Sequence, residues 1–272
     1  MFLTYILIFI FGAVFGSFIS AYTYRLTNGD TVLKGRSYCP KCKKGISWYD
    51  NIPVLSYVLL KGKCRKCKSK ISIRYPLLEI STGTIFAAVY SKYMSVVNIY
   101  GSNCGADLFC RWVQNGGIAG LLLIFILVLI LISVFVIDVE EMIIPDTLIF
   151  KGFLIFYFFY SIYFSDGLFK FLLSGFCAAL FILMLHLVTN GKGMGLGDVK
   201  FSLFGGFILG FRLTAVWLFL SFILGAMVGL ILISFKKAKF GKKIPFGPYL
   251  ATAFVLVILF GPRLYNMMNL PF

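Results

Sequence analysis

Residues 118–138 read Ile-Ala-Gly-Leu-Leu-Leu-Ile-Phe-Ile-Leu-Val-Leu-Ile-Leu-Ile-Ser-Val-Phe-Val-Ile-Asp. The run from Ile118 to Ile137 carries no charge and ends on a carboxylate. At about 1.5 Å per residue it makes a helix of roughly 30 Å, the thickness of a bilayer's hydrocarbon core. The stretch therefore reads as a transmembrane helix that delivers Asp138 to one membrane face. Further apolar runs lie on both sides of it, at roughly 2–24, 75–97, 147–164, 168–189, 198–211, 213–235 and 246–262. The 272-residue chain is 60% hydrophobic and 13% charged, which excludes a water-soluble domain. The fold class that follows is an all-α polytopic integral membrane protein with about eight transmembrane helices. The first run lacks a basic segment ahead of it and holds Gly12, Gly16 and Ser17 within it. It reads as a retained helix rather than a cleaved signal.

The net charge of +16 is concentrated. Residues 23–74 carry thirteen Lys or Arg against Asp30 and Asp50 alone. Residues 236–243 add five lysines, and Lys192 and Lys200 flank Asp198, so these segments hold twenty of the 26 basic residues. Threading eight spans puts all of them on one side, which the positive-inside rule makes cytosolic. The loop at 138–146 falls on that side too, so Asp138 and Asp198 share a face. The chain is expected to be multi-pass, with both aspartates toward the cytosol. The basic excess fits topology and attraction to anionic lipid headgroups. No nucleic-acid motif accompanies it, so no nucleic-acid partner is expected.

The only long polar segment holds Cys39-Pro40-Lys41-Cys42 and Cys64-Arg65-Lys66-Cys67. Two such pairs separated by a loop have the spacing of a four-cysteine zinc site, each pair forming one knuckle. A reducing cytosol disfavours disulfides there, and the flanking lysines favour thiolates. Four sulfur ligands leave no position for a catalytic water, so the zinc is expected to be structural. Three domains follow: a first transmembrane helix at 1–24, a zinc-binding loop at 25–74 and a transmembrane body at 75–272. Cys104 and Cys110, on the opposite face, are a possible disulfide or two free thiols. Cys177 lies in an apolar run and reads as a buried small hydrophobe.

A second carboxylate stands in Gly193-Met194-Gly195-Leu196-Gly197-Asp198-Val199-Lys200, a glycine-dense loop that enters a helix at about Asp198. From there to Phe211 is about 21 Å of helix, short for a bilayer, so Asp198 is expected in a water-lined cleft below the surface. Carboxylates at membrane depth are costly and mark functional sites. Two of them from separate helices point to a pair that shares one proton, as in aspartic proteases. The glycine loop is not a phosphate loop, because no Gly-Lys-Ser/Thr follows it. Asp146, after Pro145, reads as a helix N-cap. Glu140 and Glu141 read as solvated charges or partners of Lys192 or Lys200. His186, the only histidine, reads as a packed or hydrogen-bonded side chain rather than a metal ligand. No serine or cysteine stands beside a base, which excludes a Ser-His-Asp or Cys-His enzyme.

Taken together these segments resemble the type IV prepilin peptidase family, membrane aspartic proteases of the Gly-x-Gly-Asp kind. Gly195-Leu196-Gly197-Asp198 matches that motif, and Asp138 followed by Pro145-Asp146 matches the first aspartate motif. The zinc loop is similar throughout, from Trp48-Tyr49-Asp50-Asn51-Ile52-Pro53 to Ile73-Arg74-Tyr75-Pro76-Leu77-Leu78-Glu79. Gly16-Ser17-Phe18, Tyr24-Arg25-Leu26 and Pro245-Phe246-Gly247-Pro248 also match in order. Ser20 stands where the family usually has Asn, and Thr27 where it has Pro. The resemblance implies Asp138 and Asp198 as the catalytic pair and Cys39, Cys42, Cys64 and Cys67 as zinc ligands. It also implies cleavage of type IV prepilins or pseudopilins after a glycine that ends a short basic leader. Methylation of the new N-terminus by S-adenosylmethionine would follow, though no glycine-rich nucleotide turn appears in the soluble loop. In such a pair one ionised aspartate activates water and the other, protonated, donates to the scissile carbonyl, giving a bell-shaped dependence on pH. Two rivals fit parts of the pattern. A proton-coupled transporter explains the carboxylates but not the four-cysteine loop. A non-catalytic zinc-containing scaffold explains the loop but not the paired aspartates.

Overall fold

The computed structural model describes residues 2–27, 37–99, 107–191, 193–235 and 244–267. The lysine segment 236–243, Lys192 and Cys104 lie outside the described residues, and with Cys104 the question of its pairing to Cys110. Among the described residues there is no strand, only the isolated bridges Tyr38 with Gly45 and Lys63 with Lys70. The chain folds as two compact units, Met1–Met94 and Ser95–Phe272.

The first unit is built on α1 (Phe2–Thr27) and α3 (Arg74–Ile99). They meet through small residues. A Cβ on Gly12 would stand 2.9 Å from Gly83 Cα, and one on Gly83 2.8 Å from the Phe9 carbonyl oxygen. Such glycines let two backbones close together where lipid supplies no hydrophobic push. Arg74 donates to Thr23 Oγ1 at 2.7 Å, closing the polar end of the pair. Between the helices sits the soluble module, with the short helix α2 (Leu55–Leu59). Glu79 of α3 reaches into it and accepts from the Val54 N–H at 2.7 Å.

The second unit comprises α4 (Leu108–Glu141), α5 (Asp146–Tyr163), α6 (Leu168–Val188), α7 (Leu196–Ser234) and α8 (Gly247–Met267). Two of these helices contain a fold. Gly117, at φ 54° and ψ −128°, breaks α4 just before Ile118, so the expected span at 118–137 is the arm after the break. Gly210, at φ 71° and ψ 168°, breaks α7, a conformation only glycine adopts readily. The chain then doubles back: the Trp217 ring packs on Gly205 and sits 5.9 Å, edge-on, from the Phe201 ring. The expected spans at 198–211 and 213–235 are therefore the two arms of a helical hairpin.

Buried polar side chains donate to backbone carbonyls beside the bend of this hairpin. Tyr160 donates to the Ile208 carbonyl at 2.6 Å and accepts from Trp112 Nε1 at 3.0 Å. Thr214 Oγ1 donates to the Gly206 carbonyl at 3.4 Å. An unpaired backbone carbonyl in hydrocarbon costs several kcal/mol, of order ~2–7, which is why tyrosine and threonine tolerate burial here.

Among the described residues six helices, α1, α4, α5, α6, α7 and α8, are long and apolar enough to cross a membrane. Helix α3, expected as a span at 75–97, is present but is not one of the six; it carries Arg74, Glu79 and Lys92. Large side chains such as Phe150, Leu154, Phe158, Phe169, Phe176 and Leu180 point outward and exposed. In water that surface would aggregate; in lipid it is the surface expected of a multi-pass membrane protein. Cys177 is exposed on this outward side rather than buried.

Candidate active site and metal centre

In the second unit, Asp138 lies in the last turn of α4 and Asp198 in the first turn of α7. Both are nearly enclosed, at 5% and 7% exposure. They line one cavity of about 510 Å³ with Met142, Ile143, Ile144, Pro145, Gly195 and Leu196. The two carboxylates are held in the same way. Asp198 Oδ2 accepts from the Gly195 N–H at 2.9 Å, and Asp138 Oδ2 accepts from the Gly247 N–H at 2.8 Å. Gly195 precedes α7 and Gly247 begins α8, so each donor is an N–H that its helix leaves unpaired. The Oδ1 atom of each carboxyl takes no hydrogen bond from the described residues.

Gly247 belongs to a motif visible in the sequence, but its partner was not. A Cβ at this position would lie 2.7 Å from Asp138 Oδ2 and 3.0 Å from its Cγ. The glycine is therefore a steric requirement of the first aspartate. Met142, in the left-handed region at φ 55°, closes α4 by donating its N–H to the Asp138 carbonyl. This turns the chain into the loop that forms the cavity's apolar wall.

Asp146 is not the N-cap expected of it. Pro145 occupies that position, without a side-chain hydrogen bond, and Asp146 is the first residue of α5. Its carboxylate takes the Lys200 ammonium at 2.6 and 2.7 Å, a solvent-exposed pair at the rim of the cavity. Lys200 is thus committed to Asp146, and Glu140 and Glu141 are exposed residues in the last turn of α4. His186 is half-buried and hydrogen-bonded, as expected, through Nδ1 to the Met194 carbonyl at 2.6 Å.

In the first unit, the sulfurs of Cys39, Cys42, Cys64 and Cys67 all lie within 4.8 Å of one another. Each pair sits in the same backbone turn. The Lys43 N–H bonds the Cys39 carbonyl at 2.8 Å and the Lys68 N–H bonds the Cys64 carbonyl at 2.9 Å. Lys43 and Lys68 both take positive φ, 52° and 58°. Cys39 Sγ and Cys67 Sγ are 3.8 Å apart. A tetrahedron with zinc–sulfur bonds of about 2.3 Å has an edge of about 3.8 Å, so the sulfurs fit that metal. The Ser69 hydroxyl, 3.1 Å from Cys67 Sγ, and then the Ser69 N–H lower the Cys67 thiol to about 6. The Cys42 N–H, more than any other group, lowers the Cys39 thiol against its desolvation. Both effects favour the thiolates that a metal needs. A bidentate Arg65–Asp50 pair, with bonds of 2.7 to 3.1 Å, joins the second knuckle to the segment between the two. Among the described residues the module has no strand–turn–helix unit of the kind that binds nucleotide cofactors.

Residues 10–93 match the bacterial peptidase A24 N-terminal domain, and residues 106–230 match the type IV leader peptidase family. A prepilin leader peptidase/N-methyltransferase of Stutzerimonas stutzeri is 32% identical over 232 residues, 84% of this chain and 73% of the relative. The chain belongs to the type IV leader peptidase family. Two further family members bearing the same name align over nearly the full length. That of Aeromonas hydrophila is 31% identical, covering 94% of this chain and 90% of the relative. That of Bacillus subtilis (strain 168) is 29% identical, covering 96% of each. No solved structure gives a significant match.

Proposed function

We propose that the chain is a membrane aspartic endopeptidase that removes the short basic leader from type IV prepilins or pseudopilins, and that Asp138 and Asp198 are its catalytic pair. One observation carries the assignment of residues. Two buried carboxylates, from the ends of separate apolar helices, face one cavity in a member of this family. Each is held through a single oxygen by a backbone N–H, which leaves the other oxygen for chemistry.

The working pair holds one proton. The ionised aspartate takes a proton from a water as the water's oxygen attacks the scissile carbonyl carbon. The protonated aspartate gives its proton to the carbonyl oxygen. The tetrahedral diol collapses as the C–N bond breaks, and a proton returned from the pair leaves on the new amine. No acyl-enzyme forms, and no serine or thiol takes part. The substrate helix must unwind locally, because a hydrogen-bonded helix hides its carbonyls. Met142, Ile143 and Ile144 offer an apolar wall to the stem that follows the cleavage point. The basic leader, ending in glycine, lies among anionic headgroups on the cytosolic side of the inner membrane, a reading supported by the clustering of the chain's own basic residues.

Residues 1–24, 25–74 and 75–272 serve as first helix, metal module and peptidase body. Zinc would be held by Cys39, Cys42, Cys64 and Cys67. With all four positions taken by sulfur, the metal would cross-link the module and leave no place for a catalytic water. Methylation of the new N-terminus is the second activity. S-adenosylmethionine, when bound, supplies the electrophilic methyl group. This activity rests on the family, and no residue here is assigned to it.

The test is incubation of the purified protein with a prepilin, followed on gels and by mass spectrometry. Asp138→Asn and Asp198→Asn should each abolish cleavage while the protein stays inserted. The double variant should be little worse than either, because both side chains act on one water. Substantial cleavage by either single variant removes that residue from the pair.

A further inference from the structure

The mechanism leaves unused the one histidine in the chain. His186 lies in the last turn of α6, and its Nδ1 is 2.6 Å from the Met194 carbonyl oxygen. A carbonyl oxygen only accepts, so Nδ1 carries the proton and donates. The peptide group that receives this bond joins Met194 to Gly195. Its other end, the Gly195 N–H, donates to Asp198 Oδ2 at 2.9 Å. One rigid peptide plane thus has the histidine on its oxygen and the aspartate on its hydrogen.

That plane needs something to hold it. Gly193 and Gly195 flank Met194, and glycines give the backbone wide freedom to rotate a peptide. The loop is fastened at three points, all near His186. The Gly191 N–H donates to the His186 carbonyl at 2.8 Å. The Gly193 N–H donates to Thr189 Oγ1 at 3.2 Å, and the imidazole holds Met194. Gly191 takes φ 71°, and a Cβ there would lie 3.2 Å from His186 Cε1, so the loop wraps directly on the ring. Of these ties only the imidazole bond acts on the peptide that touches Asp198.

We infer that His186 is a positioning residue for Asp198: its Nδ1–H orients the Met194–Gly195 peptide so that the Gly195 N–H fixes the carboxyl in the cavity. Chained hydrogen bonds polarise one another, so the same bond strengthens the Gly195 donor. The inference rests on the assignment of Asp198 to the catalytic pair.

The test measures kcat and KM for prepilin cleavage, with thermal stability, on full-length protein carrying His186→Leu, His186→Asn or His186→Gln. An asparagine amide nitrogen falls near the Nδ1 position, whereas a glutamine amide falls near Nε2. His186→Leu should lower kcat about tenfold, the value of one hydrogen bond, with KM unchanged. His186→Asn should restore most of the loss and His186→Gln clearly less. A His186→Leu protein with wild-type kcat overturns the inference. So does equal activity of the Asn and Gln variants at equal stability, and that comparison still decides if the leucine variant fails to fold. Asp198→Asn is run alongside. If it cleaves, the assignment of the catalytic pair fails; if it is inactive while His186→Leu is fully active, only the present inference fails.

Discussion

Replacing Gly247 by alanine tests whether the geometry around Asp138 matters to catalysis. The added Cβ would stand 2.7 Å from Asp138 Oδ2, 3.0 Å from Cγ and 3.2 Å from Cβ. Ordinary contact begins near 3.4 Å, so the carboxyl must move by several tenths of an ångström or α8 must withdraw. Either motion stretches the 2.8 Å bond from the Gly247 N–H. A hydrogen bond to a charged group is worth about 1.5–3 kcal/mol. At about 1.36 kcal/mol per factor of ten, its loss predicts a fall in cleavage rate of roughly 10- to 100-fold. Displacement of a catalytic group adds to this in the same direction. Gly247 begins α8, so the advantage that alanine has over glycine in a helix interior does not offset the strain. A thermal-shift measurement beside a prepilin cleavage assay separates loss of activity from loss of stability. Gly247→Ala at full activity would refute the reasoning, since a carboxyl that can be pushed aside without loss is not the reacting group.

The remaining expectations concern the frame around the site. Tyr160→Phe removes the hydroxyl shared by Trp112 Nε1 and the Ile208 carbonyl, so two buried groups lose a partner at about 1–3 kcal/mol each. The transition in a thermal scan should fall clearly, while the aspartates remain in place. Asp146→Asn breaks only the exposed pair with Lys200 and should keep most of the cleavage activity; a loss beyond tenfold would make that bridge part of the machinery. One zinc per chain should co-purify, and Cys39→Ser or Cys64→Ser should lose it, as read by metal analysis. The Cys67 thiol is lowered from 9.0 to about 6 in the folded module. Its contribution to stability is therefore complete above about pH 9, declines between 9 and 6, and is gone below 6. Zinc release followed with a chromogenic chelator should accelerate as pH falls, because protons compete with the metal for the thiolates; release that is independent of pH would contradict the thiolate assignment.

What the sequence determined by itself was whatever depends on near neighbours. Hydropathy runs located the helices because membrane insertion depends on summed local transfer free energy. The break before Ile118 coincides with a Gly-Gly step. The two cysteine pairs announced their knuckles because each is a single turn of chain. Asp138 and Asp198 stood out because carboxylates at the ends of apolar runs are costly. The family motifs carried the remainder of the site. Tertiary structure alone decided the pairings made across the fold. It brought the Gly247 N–H to Asp138, 109 residues earlier in the chain, and Lys200 to Asp146 rather than to a glutamate. It made Gly210 a reversal rather than a gap between two spans, and placed Tyr160 to donate to a carbonyl beside that bend. Glu79, quoted in a motif without a role, became the tie between α3 and the metal module. None of these follows from periodicity or spacing, because each is a single hydrogen bond or steric contact between segments far apart in sequence. Only the packed helices determine which of the chemically possible partners come within about 3 Å.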